Sequence, residues 1–170
     1  VENVLQMVRE QYSGLGLSVH LAGDPGMPAG PRSTVYFGTY DSRLLGLADN
    51  IDPYNSNQEQ VAVVFTDTFS IFKPLSPDVE AISQVLANVA AHEAGHLIGL
   101  RHTADPYDTM DTTATARQML LPQSFRMTYL NQTVISLGLQ DAPSMLAWIL
   151  GGWLDAPNGA TTGKLAARAK

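Results

Sequence analysis

Cysteine is absent from this chain, histidine occurs only four times, and no stretch of Lys and Arg forms a basic run. Without cysteine there is neither a disulfide framework nor a thiolate metal cluster, so a metal ion held here needs nitrogen or oxygen ligands. The formal charge of −6 and the missing basic run argue against nucleic acid and anionic membrane surfaces as partners. Long apolar runs are missing too: a membrane span needs about 18 residues, and the best stretch, 145–154, is broken by Gly151 and Gly152. What is present is ordinary globular composition, with 45% hydrophobic and 15% charged residues over 170 positions. The expected organisation is one domain over 1–156, followed by a tail over 157–170 rich in small and basic residues. The sequence opens at Val1 with no initiator methionine and no signal-peptide pattern, which reads as a mature form or an excised domain. The expected location is secreted or extracytoplasmic.

Hydrophobic spacing divides the chain into elements. Val4, Leu5 and Val8 form a helical stripe over 1–12 that Ser13 and Gly14 terminate. Leu17, Val19 and Leu21 alternate with Ser18, His20 and Ala22, which predicts a half-buried strand before the Gly- and Pro-rich 24–31 stretch. Residues 33–40 and 44–48 are further strand candidates. The VAVVF run at 61–65 is apolar and β-branched without alternation, as expected of a central strand. Ser76, Pro77 and Asp78 read as the start of a long helix whose apolar stripe runs from Val79 to Leu100, with Gly99 marking its end. Residues 123–137 and 142–154 carry helical spacing as well, with Trp148 and Trp153 as packing residues.

Three of the four histidines fall in HEAGHLIGLRH, residues 92–102. His92 and His96 are four apart, so on a helix they share a face and can offer two imidazole nitrogens to one ion. A third ligand requires a sharp turn, for which Gly99 is suited, and His102 then returns toward the other two. Three neutral nitrogen ligands leave a fourth position open, the pattern of a catalytic zinc site. Glu93, beside His92, is placed to take a proton from water there. A lone histidine is usually surface or satisfied core; the combined H-E-x-x-H, Gly and third His make metal ligation the stronger reading.

At this point the chain resembles the metzincin clan of zinc metallopeptidases, whose signature is H-E-x-x-H-x-x-G-x-x-H followed by a methionine turn. Asp108, Thr109, Met110 and Asp111 look like that turn, with Met110 eight residues after His102, and VAAHEAGHLIGLRHT is similar to the matrixin branch. The resemblance implies an α/β (α+β) zincin fold: a twisted, mostly parallel mixed sheet of about four to five strands backed by two helices, an active-site helix ending in a Gly turn, then the methionine turn and C-terminal helices. It also implies one Zn2+ per chain on His92, His96 and His102, Glu93 as general base, Met110 as a floor under the metal and not a ligand, and a protein or peptide substrate. An extended peptide would pair with the edge strand at Leu44, Leu45, Gly46, Leu47 and Ala48, and a side-chain pocket would lie between Val89 and the segment after Met110. Thr112 stands where astacin-like and serralysin-like members carry a tyrosine, which points away from those branches. The clan's first strand has no counterpart before the opening helix, and only His20 remains for a second zinc, so the reduced motif set implies a distant relative of bacterial type.

Two other readings compete. A three-histidine metal-dependent RNA hydrolase would lack Glu93, and a non-catalytic zinc-binding module would use the Trp-containing terminal helix as its contact face. Asp49, Asp52 and Asn55 fit no calcium-loop spacing and read as a solvated turn.

Overall fold

The computed structural model describes residues 1–39, 43–131 and 138–152. Helix α1, Glu2–Gln11, forms where the stripe predicts, and Val8 is its buried position. Three strands make one sheet: β1 (Thr34–Gly38), β2 (Gly46–Ala48) and β3 (Val61–Phe65), in the order β1-β3-β2. The apolar run at β3 therefore takes the central position, with Ala62 and Val64 buried against the helices. β1 pairs with β3 in parallel and β2 pairs with β3 antiparallel, so the sheet is mixed, and not mostly parallel. β2 is an edge strand, as expected.

Helix α2, Val79–Leu97, packs on all three strands, and α1 packs on α2. Its start lies two residues later than Ser76 suggests. Ser76 sits in the left-handed region (φ 46°), and Asp78 is the cap, its carboxylate accepting from Ala81 N at 2.8 Å. The core gathers on the buried face of this helix: Val85, Ala87 and Ala91 meet Val64, Phe72, Leu100, Met110 and Leu146, all fully buried. Tyr12 closes the α1 side, its hydroxyl donating to Ala91 O at 2.9 Å.

After α2 come α3 (Ala116–Met119), β4 (Met127–Tyr129), β5 (Leu139–Asp141) and α4 (Ala142–Leu150), with β4 and β5 forming an antiparallel pair. Two expected elements do not form. The segment 17–22 is no strand: its alternation places Leu17 and Val19 against the core, but no neighbouring strand among the described residues offers it a ladder. The expected helix over 123–137 is extended where described, because Ser124 and Arg126 are held by Tyr107 O and the Asp108 carboxylate, and Tyr129 O accepts from Ala104 N. These cross-chain bonds outweigh helical spacing. Residues 132–137 lie outside the described part, as do Trp153 and the 157–170 tail.

Trp148 is not a core residue. It is 71% exposed and meets Tyr54 edge-on, ring centroids 5.5 Å apart. Asp52 departs from expectation in the opposite direction: it is buried, and its carboxylate accepts from Ser56, Asn57 N and Gln60, bonds that hold it below the usual carboxylate range.

Candidate metal centre

The last turn of α2 builds most of the site from local chemistry. Gly99 adopts φ 101°, Gly99 N donates to His96 O, and Leu100 N donates to Gly95 O, both at 2.9 Å. This is the Schellman ending that a left-handed residue just past a helix permits. Only glycine fits, since a Cβ there would stand 2.8 Å from Pro53 Cα. The turn brings Leu100 O back to His96, whose Nδ1 lies 2.8 Å from it. His92 Nδ1 lies 2.8 Å from Thr109 O. A carbonyl oxygen can only accept, so both Nδ1 atoms carry the proton and both Nε2 atoms present lone pairs.

Those lone pairs converge. His96 Nε2 is 3.1 Å from His92 Nε2 and 3.0 Å from His102 Nε2. Nitrogens each about 2.0–2.1 Å from a tetrahedral zinc would be separated by about 3.3 Å. Three lone pairs pointed at one spot repel each other unless a cation sits among them, so the donor set and its spacing fit zinc. Burial, reinforced by the neighbouring imidazoles, holds His92 down to about 3, and burial holds His96 down to about 4. Burial also lowers His102. Each imidazole is thus kept in the neutral form a metal requires.

Glu93 is buried, and burial pushes its carboxyl up to about 7. Its side chain lies against Gly46 of the edge strand, where a Cβ would come 2.7 Å from Glu93 Cγ. Met110 is fully buried beneath the helix, and Gly95 makes room for it: a Cβ at 95 would stand 2.6 Å from Met110 Sδ. The turn that carries Met110 is tied down by Asp108, which accepts from Thr103 Oγ1 at 2.6 Å and Arg126 N at 3.1 Å.

Among the residues expected to meet substrate, Gly46, Leu47 and Ala48 form β2, Leu47 is 56% exposed, and Leu44 is exposed just before the strand. Leu45 is partly buried and Val89 packs in the core, one turn before His92. His20 stands apart from the histidine cluster, its Nδ1 3.6 Å from Asp24. Sequence reading missed the parts played by Thr109 and Leu100, since both act through backbone carbonyls, and a backbone acceptor leaves no mark on residue type.

Comparison with curated proteins and with solved structures returned no match. The family model described as Matrixin matches residues 42–127, half of the chain, and that span contains β2, β3, α2, the three clustered histidines and Met110. A convergent histidine triad on a helix that ends in a glycine turn, lying inside that match, is what a zinc peptidase of this kind needs, and the chain belongs to the matrixin family of metallopeptidases.

Proposed function

We propose that this protein is a zinc-dependent endopeptidase that binds one zinc per chain through His92, His96 and His102 and uses Glu93 as its general base. The observation that carries the reading is the convergence of three imidazole nitrogens from His92, His96 and His102, and the buried Glu93, next to His92 in sequence and raised by burial to about 7, supports the choice of base. Zinc, when bound, supplies a Lewis acid that polarises the scissile carbonyl and makes water a better nucleophile near neutral pH. Glu93 takes the proton from the attacking water as its oxygen bonds to the carbonyl carbon. The same carboxyl then delivers that proton to the amide nitrogen as the C–N bond breaks. A carboxyl poised near neutrality can do both.

Among the described residues β2 pairs only with β3, and its other edge would give an extended substrate its main-chain partners. Leu44, Leu45, Gly46, Leu47 and Ala48 would line the peptide, with Val89 and the segment after Met110 bounding a side-chain pocket. Contact between Gly46 and Glu93 supports this placement, because a peptide paired along β2 passes the base. Action outside the cytoplasm fits such an enzyme, and nucleic acid has no part in the reading.

The test pairs two measurements on wild type and Glu93→Gln: zinc per chain by elemental analysis, and cleavage of a denatured protein near neutral pH. One zinc per chain is expected in both, with cleavage by the variant lower by about 10² to 10⁴. Equal cleavage by the two proteins would remove Glu93 from the mechanism. A zinc-loaded wild type that cleaves nothing would favour a non-catalytic zinc module.

A further inference from the structure

The first two ligands are located by the helix, and each has its Nδ1 anchored on a carbonyl. His102 has no helix to place it. Its position follows from the chain running from 101 to 104, which is bridged at Thr103 to a neighbouring segment on each side. On one side Thr103 N donates to Met110 O at 2.9 Å, and Thr112 N donates to Thr103 O. On the other side Asn131 N donates to His102 O at 2.9 Å, and Ala104 N donates to Tyr129 O at 3.1 Å. This second side belongs to the β4–β5 pair and the residues that follow β4, beyond the span matched by the family model.

One side chain completes that clamp. Gln140, on β5 opposite Thr128, is only 4% exposed. Its Oε1 accepts from Arg101 N at 2.8 Å and its Nε2 donates to Arg101 O at 2.9 Å. Both backbone groups of the residue before His102 are therefore held by a single amide. Arg101 O belongs to the peptide plane joining 101 to 102. Rotation of that plane swings the His102 Cα–Cβ direction, and metal sites tolerate displacements of only about 0.5 Å.

We infer that Gln140 is a positioning residue for the third zinc ligand, and that the β4–β5 pair is part of the metal site. This rests on the zinc reading above. Gln140 touches neither metal nor substrate; it acts through the Arg101 backbone. The chemistry requires a side chain that both donates and accepts across one residue, so the two bonds can be removed separately. Gln140→Met keeps length and loses both. Gln140→Glu keeps an acceptor for Arg101 N–H and loses the donor to Arg101 C=O.

The experiment measures zinc dissociation constants by chelator competition, and thermal unfolding of zinc-loaded and zinc-stripped protein, for wild type and both variants. Loss of a group that orients a ligand typically weakens metal binding by 10-fold to 100-fold, and action through the backbone places Gln140→Met at about tenfold. Gln140→Glu should lose less. The rise in Tm produced by zinc should shrink in the same order. Packing alone predicts the reverse order, because methionine suits a buried site better than a carboxylate. Dissociation constants within about twofold of wild type, or Gln140→Met binding as tightly as Gln140→Glu, overturn the inference. Should Gln140→Met show no cooperative unfolding, Gln140→Glu decides alone: weakened binding supports the inference and unchanged binding overturns it. A wild type that binds no zinc overturns this inference and the zinc reading together, whereas a wild type that binds zinc as tightly as its variants removes Gln140 only.

Discussion

The Glu93 side chain rests on the backbone of Gly46: a Cβ at position 46 would stand 2.7 Å from Glu93 Cγ and 2.8 Å from Cδ. Gly46 is part of β2, which is tied to β3, so the strand cannot retreat without breaking its ladder. Gly46→Ala should therefore displace the carboxylate and leave the histidines in place. Peptidase activity is expected to fall by about tenfold or more, as small misplacements of a reacting group do, with zinc content unchanged. Full activity in Gly46→Ala would mean that the carboxylate has room to move and that its seat on the strand is incidental.

Burial of Glu93 makes a second, opposite prediction for stability. Its pKa is raised from 4.5 to about 7, so the folded chain holds this proton more tightly than the unfolded chain does. Stability from this group is intact below pH 4.5 and is lost as pH rises through about 7, at a cost of about 3 kcal/mol above that. In the zinc-stripped protein, Glu93→Gln should then raise the Tm at pH 8 and give no gain at pH 4. A gain of equal size at both pH values would trace the effect to packing and not to the buried charge.

Zinc removal should destabilise the fold around the triad, since the converging lone pairs then face each other uncompensated. A lower Tm in chelator, restored by added zinc, is the expected result. His102→Ala leaves two ligands on the helix but opens the site, and should lose zinc on dialysis. Full occupancy in that variant would require another third ligand.

Met110 fills the space that Gly95 leaves, and its sulfur needs only to pack. Met110→Leu is a nearly volume-conserving change and should cost under about 1.5 kcal/mol while retaining zinc. Denaturant unfolding with metal analysis checks both, and loss of zinc would assign the thioether a larger part.

By itself the sequence determined the convergence of His92, His96 and His102 and the glycine turn that permits it. The helix period puts His92 and His96 on one face, and glycine alone can make the φ of 101° at Gly99, so spacing and residue type are enough. VAVVF likewise announced a central strand, and it lies between β1 and β2 with Ala62 and Val64 buried and Val61 and Val63 partly buried. Only tertiary structure decided the rest. The alternation over 17–22 records burial of one face but forms no strand, since a strand also needs a neighbour to bond with, and neighbours are not written in local pattern. Helical spacing over 123–137 gave way to extended chain in the described part because Tyr107, Asp108 and Ala104 bond to that segment from a distance. The carbonyls of Thr109 and Leu100 bond to the His92 and His96 rings and the amide of Gln140 to the Arg101 backbone, yet nothing in their residue types separates them from ordinary loop and strand residues. Their roles arise from where folding brings a backbone group every residue possesses, and such roles become visible only when both ends of the bond are in place.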